Sequence, residues 1–193
     1  MRPDWPLATE RLLLRPFEDG DYDALYAIHS DPEVARYLYN EPRDPEQVRE
    51  LLGRKIAGAE WRDEGDWLSA AAVLRESGDV VGDLALHWVS NEHRTGEIGF
   101  SFDPARQGRG YATEAAGAFL RLAFEDFGLH RMIGRTEARN AASARVLEKL
   151  GMRLEAHLVE NEWVKGEWQS ELVYALLDRE WQESHAAAGS VGS

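Results

Sequence analysis

Between Glu97 and Phe127 the hydrophobic period of the chain changes once, and the residues at the change restrict what it can fold into more than any other stretch. They read Arg106-Gln107-Gly108-Arg109-Gly110-Tyr111-Ala112-Thr113. Before them, Glu97 to Phe102 alternates apolar and polar residues as a strand does. After them, Ala115 to Phe127 places apolar residues at helical spacing. A strand thus passes through a two-glycine loop into a helix. The first amides of a helix have no internal partner and lie at the positive end of its dipole, and small residues let an anion approach them closely. Such a loop is built to hold phosphate.

The rest of the chain supplies the frame. Arg11 to Arg15 reads as a first strand, and Asp19-Gly20-Asp21 as the turn opening a helix that runs to about His29. Asp31-Pro32 opens a further helical turn. Asp44-Pro45-Glu46-Gln47 combines an aspartate cap, proline at the first helical position and a glutamine reaching back, and predicts a helix to about Trp61. Trp67 to Leu74, Val80 to Trp88 and Glu97 to Phe102 then form an antiparallel meander. Gly128 can end the helix after the glycine loop, and Arg131 to Thr136 completes a strand-helix-strand crossover. Asn140 caps a second helix, which Gly151 ends, and strands at about Arg153 to Glu160 and Glu171 to Leu177 flank the turn Lys165-Gly166-Glu167. The fold class expected is α/β (α+β): one domain with a mixed, mostly antiparallel sheet of about six or seven strands and flanking helices. The tail from residue 183, with its Ala186-Ala187-Ala188-Gly189-Ser190 run, is expected to be disordered.

Composition removes whole classes of function. With no cysteine, the chain can form no disulfide framework, thiolate metal site or covalent thiol intermediate. The six histidines include no pair at helical three- or four-residue spacing, so no metal is expected. A net charge of −13 opposes a nonspecific grip on nucleic acid or an anionic membrane and favours cationic partners. No run approaches the ~18 apolar residues of a membrane span, and a soluble, cytoplasmic protein is the expectation.

The phosphate held by the glycine loop can be narrowed. A nucleoside-triphosphate loop needs lysine and then serine or threonine after its last glycine, where this chain has Tyr111 and Ala112. The dinucleotide fingerprint finds Gly108 and Gly110 at the right spacing and Glu137 at the end of the next strand. Its third glycine is replaced by Thr113, and the preceding strands are a meander rather than strand-helix units. A third pattern matches: Gln107, Gly110 and Ala112 resemble the coenzyme motif of the GCN5-related N-acetyltransferases. The resemblance runs from about Thr9 to Trp181, through Thr9-Glu10-Arg11-Leu12, Gly96-Glu97-Ile98-Gly99-Phe100, Gly110-Tyr111-Ala112-Thr113-Glu114-Ala115, Asn140-Ala141-Ala142-Ser143 and Leu147-Glu148-Lys149-Leu150-Gly151. It is closest to the branch that acetylates ribosomal-protein alanine.

That resemblance implies residues 1–182 as one acetyltransferase domain with a central pair of parallel strands, Glu97 to Phe102 and Arg131 to Thr136, splayed apart. It implies acetyl-CoA as co-substrate. The coenzyme pyrophosphate would lie on amides of Gln107, Gly108, Arg109, Gly110, Tyr111 and Ala112, with Thr113 beside them. Main chain of Phe100, Ser101 and Phe102 would pair with the pantetheine arm, which Asn140 and Ser143 would also contact. A homodimer is compatible with the family.

The implied reaction is direct attack by an uncharged amine on the acetyl carbon in a ternary complex. A lysine-like amine titrates at about 10.4 and a chain-terminal amine at about 8, so a base must take the proton. Glu162, before the turn into the last strand, is the first candidate and Glu97 the second, acting directly or through a water. Many members protonate the leaving thiolate with a tyrosine at the position of Leu147. Its absence leaves Ser143, a water, or no acid at all. Trp61, Trp67, Trp88, Trp163 and Trp168 could give an acceptor pocket an aromatic wall. The acceptor is a protein or peptide N-terminal amine, or a small amine of the aminoglycoside kind. A non-catalytic acyl-CoA sensor is the alternative of a different class.

Overall fold

The computed structural model describes residues 1–189. In chain order the elements are β1 (Leu7–Ala8), β2 (Leu12–Arg15), α1 (Tyr22–His29), α2 (Pro32–Ala35), α3 (Pro45–Ala57), β3 (Trp67–Leu74), β4 (Val80–Ser90) and β5 (Thr95–Phe102). They continue with α4 (Tyr111–Arg121), β6 (Arg131–Glu137), α5 (Ala141–Lys149), β7 (Arg153–Val164), β8 (Glu167–Leu177) and α6 (Asp178–Gly189). The eight strands form one sheet in the order β1-β2-β3-β4-β5-β6-β8-β7, one strand more than the upper sequence expectation. The extra one, β1, has two residues and follows Pro6, too short to leave a periodic signal.

Every neighbouring pair is antiparallel except β5 and β6. Their parallel ladder runs from Thr95 opposite Arg131 to Ile98 opposite Gly134 and stops there. Beyond it, β5 stays paired with β4 through Phe102 and β6 with β8 through Glu137. The two strands therefore part in the middle of the sheet, and the backbone of Gly99 to Phe102 has no strand on its β6 side.

Helices cover both faces. The main core packs Leu84, Leu86, Ile98 and Phe102 of the sheet against Ala115, Phe119 and Leu147 of α4 and α5. A smaller core on the other face packs Ala71 and Val73 against Leu25, Val48 and Leu52 of α1 and α3. Each fully buried leucine of this kind contributes about 1.5–3 kcal/mol.

Strands β7 and β8 each run four residues further toward their turn than the sequence reading, to Val164 and from Glu167, and α4 begins earlier, at Tyr111. Two other boundaries differ for clear local reasons. Helix α3 ends at Ala57 rather than near Trp61, because Gly58 closes it by donating its amide to the Arg54 and Lys55 carbonyls, and Trp61 turns into the core at 1% exposure. Residues 183–189, expected to be disordered, continue α6. Asp178 and Glu180 lie in its first turn, Trp181 packs on Phe124 with ring centroids 5.6 Å apart, and the alanine run is a strong helix former. The remainder of the expected tail, 190–193, lies outside the described residues.

Candidate active site

The parting of β5 and β6 opens two cavities that meet at one wall. One, of about 430 Å³, lies against the glycine loop and the first turns of α4 and α5. The other, of about 310 Å³, lies over the opposite face of β4, β5, β6 and β8. Tyr37, Leu38, Phe100, Ser101, Asn140 and Ser143 line both.

The larger cavity owes its character to a helix that starts differently from its neighbours. Helices α2, α3 and α5 are capped by the side chains of Asp31, Asp44 and Asn140. Helix α4 starts at Gly110, in the left-handed region at φ 82°, with no side-chain cap, so its first amides have no side-chain acceptor, and Tyr111, Ala112 and Thr113 of that turn line the cavity. Gly108 also has a positive φ, 74°. A clamp from the start of the chain holds this loop. The Arg11 guanidinium donates to Glu114 Oε2 at 2.6 Å and to the Arg109 carbonyl at 2.9 Å, and it lies over the Tyr111 ring. Glu114 Oε1 accepts from the Thr9 hydroxyl at 2.6 Å and the Arg11 amide at 2.7 Å. Burial opposes ionisation of Glu114, but these donors outweigh it and hold the carboxyl below its ordinary range.

Most of the residues named from the motif come together here. Gln107, Gly108, Gly110, Tyr111, Ala112 and Thr113 line the larger cavity with Phe100, Ser101 and Phe102. Two contribute in other ways than expected. The Gln107 amide is taken by the Pro104 carbonyl at 3.3 Å, while its side chain reaches the Phe102 carbonyl. Arg109 is exposed and lies outside the lining, its part being the carbonyl held by Arg11. Arg106 pairs with Asp79 at 3.1 Å, and Arg145 and Lys149 of α5 add positive charge to the wall. Asn140 caps α5 through the Ser143 amide at 3.1 Å while lining both cavities. An uncapped helix start, unpaired strand backbone and a cationic wall fit a coenzyme that carries phosphates and an amide-bearing arm.

The smaller cavity is floored by polar side chains from one face of the sheet. The pairs Asp83 with Ser101 and His87 with Glu97 across β4 and β5 put Asp83 and Glu97 on that face, four residues apart along β5. Arg135 of β6 stands between two acids, 3.5 Å from Glu97 and 3.3 Å from Glu171 of β8. Burial raises Glu97 above its ordinary range, Arg135 pulls it back and Glu171 adds to the rise. Glu162 lines the same cavity from β7, opposite Gln169. At the other end, Asp83 accepts from Lys55 at 2.6 Å and faces His29 at 2.8 Å. Of these residues only Glu97 and Glu162 were legible beforehand. His29, Lys55, Asp83, Arg135, Glu171 and Tyr37 come from six separate elements or loops and share no sequence spacing.

The tryptophan wall does not form. None of Trp61, Trp67, Trp88, Trp163 and Trp168 lines either cavity. Trp61 stacks with Trp88 in the core, Trp67 stacks on His87, and Trp163 meets Trp168 edge-on. Because Glu162 and Gln169 face the cavity, strand alternation turns Trp163 and Trp168 to the opposite face. The aromatic side chains present are Tyr37 and Tyr39, from the segment after α2, with Phe100. Leu147, at the position of the family's tyrosine, is buried and packs so closely on Gly134 that a Cβ there would lie 2.6 Å from it.

Known proteins place this arrangement. The sequence matches the acetyltransferase (GNAT) domain over residues 11–153. It is 34% identical over 176 residues to the uncharacterized N-acetyltransferase YnaD of Bacillus subtilis, covering 91% of this chain and 98% of that one. A GNAT-family acetyltransferase from Bacillus anthracis superposes with a TM-score of 0.81 at 32% identity, over 90% of this chain and 99% of that one. Spermidine N-acetyltransferase from Vibrio cholerae, solved with CoA and spermine, has a TM-score of 0.76 at 22% identity, over 90% and 99% of the two chains, and shares the fold. A family match over most of the chain, joined to a sheet that parts beside an uncapped helix, shows that this protein belongs to the GNAT family and is an acetyl-CoA-dependent N-acetyltransferase.

Proposed function

We propose that the enzyme acetylates a small, positively charged primary amine held in the smaller cavity, with Glu97 taking the proton of the attacking amine. The observation that carries this reading is the charge of the lining. Asp83, Glu97, Glu137, Glu162 and Glu171 face that cavity against Lys55 and Arg135. Net negative charge in a walled space concentrates cations, and about 310 Å³ matches a small molecule better than a folded protein surface. The Vibrio cholerae spermidine N-acetyltransferase, solved with spermine, supports a cationic acceptor at the level of the shared fold.

Acetyl-CoA supplies an activated acetyl group as its thioester. The amides of Tyr111, Ala112 and Thr113, with Gly108 and Gly110 giving access, would bind its diphosphate, and Arg145 and Lys149 would add charge. Phe100, Ser101 and Phe102 offer the strand backbone that lacks a β6 partner, and a free amide there would stabilise negative charge on the acetyl oxygen. Asn140 and Ser143 close the shared wall. Glu97 is the better base because burial raises it, whereas Glu162 is suited to drawing in the cation. Glu97 accepts the amine proton, directly or through one water, as the new C–N bond forms and the C–S bond breaks. Ser143 or Tyr37, both on the shared wall, can return a proton to the departing sulfur.

Thiol release from acetyl-CoA, measured against alkylamines, amino alcohols, polyamines and peptide N-termini, tests the reading. Turnover of small amines above peptides is expected. Efficient turnover of peptides alone would overturn it.

A further inference from the structure

The floor of the acceptor cavity has an open space at Gly99. Along β5, Glu97, Gly99 and Ser101 succeed one another on the face that floors this cavity, each about 7 Å from the next. A Cβ on Gly99 would meet no atom within 4 Å beyond its chain neighbours. One on Gly96 of β5 or Gly134 of β6 would lie 2.8 or 2.6 Å from a neighbouring side chain. Those two glycines make way for packing within the chain, and Gly99 does not. Its backbone is also outside the left-handed region, so no strained conformation calls for glycine there. Opposite it on β4 stands Ala85, which lines the same cavity and carries only a methyl group.

The two sides of the shared wall decide which substrate uses this space. Phe100, Ser101 and Phe102 line the larger cavity, whereas Gly99 lines the acceptor cavity alone. The amine has to come within hydrogen-bond reach of the Glu97 carboxylate, or one water beyond it, and also reach the acetyl group at the wall that Phe100 and Ser101 share. Gly99 is midway between them. The carbon that bears the amine therefore lies over Gly99, where there is room for at least one methyl group. Glu97, Glu162 and Glu171 around the cavity oppose a carboxylate in that room, so the group that fits is neutral.

Building on the small-amine reading above, we propose that Gly99 is a specificity-determining residue: the space left by its missing side chain takes a neutral substituent on the carbon next to the amine nitrogen, so that the preferred acceptor is a primary amine on a branched carbon. Gly99 supplies no group to the reaction, and its effect is on which acceptors fit.

Steady-state kinetics of the full chain with acetyl-CoA and three isomeric amines, sec-butylamine, isobutylamine and n-butylamine, test this. The branch lies on the amine-bearing carbon in the first, one carbon further in the second, and is absent from the third. Burying one methyl group is worth about fourfold. The wild type is therefore expected to show kcat/KM for sec-butylamine about fourfold above that for n-butylamine, with isobutylamine close to n-butylamine. Gly99→Ala puts a methyl group of its own in the space and is expected to lower the sec-butylamine to n-butylamine ratio about tenfold, to below one. Calorimetry with CoA separates a filled space from a damaged fold, and the wild-type order decides the matter even if the variant does not fold. A wild-type preference for n-butylamine, turnover confined to unbranched amines including polyamines, or the same ratio in wild type and variant defeats this inference alone. So does a variant that keeps the amine ratio and instead loses propionyl-CoA relative to acetyl-CoA, which gives the space to the acyl group. Turnover of no small amine, with peptide N-termini acetylated instead, defeats the small-amine reading and this inference with it.

Discussion

The glycine loop and the acceptor cavity lie on opposite sides of the same wall, and charge is handled in opposite ways on the two sides. At the loop, Glu114 is surrounded by donors: the Thr9 hydroxyl, the Arg11 amide and the Arg11 guanidinium. Its ionised form is stabilised and the loop is fixed. In the cavity, the partly buried Glu97 shares one arginine with Glu171, and its ionised form is disfavoured. A carboxylate that completes a scaffold is satisfied; the one proposed to receive a proton is kept short of partners. The loop is also contiguous in sequence, whereas the cavity is gathered from α1, α3, β4, β5, β6, β7 and β8.

The most severe test of this contrast is Glu97→Gln, expected to lower kcat/KM about 100-fold with any amine and to abolish the acid limb of its pH profile. A profile unchanged in shape would transfer the role to Glu162. Gly110→Trp comes next. A side chain at φ 82° is strained by about 1–2 kcal/mol and its Cβ would sit 3.4 Å from Arg11, so calorimetry should show CoA affinity reduced at least about tenfold. If CoA affinity were unchanged, the loop would not be the phosphate site.

The smallest effect, and the sharpest for the comparison, lies in the pH dependence of stability. The folded-state pKa of Glu114 is lowered, so its contribution is present above the ordinary glutamate value of about 4.3 and is lost as pH falls through the folded value. Glu114→Gln should melt lower than wild type near neutrality, with the gap closing in acid. The folded-state pKa of Glu97 is raised, so its contribution is present below the ordinary value and is lost as pH rises through the folded one. Glu97→Gln should melt higher than wild type near neutrality and alike in acid. Two gaps of the same sign would show that the two sides are not built oppositely.

The same contrast explains what could be read from the chain. Gly110, Asn140 and Gly151 announce a helix start, a cap and a helix end within a few residues of where each acts, and the structure places all three in those roles. Thr9 and Arg11 were visible as part of a familiar pattern, but their grip on Glu114 spans more than a hundred residues and has no local signature. His29, Lys55 and Asp83 meet only because α1 and α3 fold over β4. The tryptophans misled because residue type alone does not tell which face of a strand a side chain occupies, and the alanine run near the C-terminus misled because small residues serve helix and loose tail alike.

The wall built from Tyr37, Leu38, Phe100, Ser101, Asn140 and Ser143 has one further consequence. A partition with a ligand on each side cannot adjust to one of them without altering the surface presented to the other. With donor and acceptor on the two sides as proposed, any such adjustment links their affinities, and by thermodynamic necessity each ligand then changes the other's affinity by the same factor. Titrating the amine in the presence and absence of desacetyl coenzyme A measures that factor, and with it how far recognition of one substrate is written into the seat of the other.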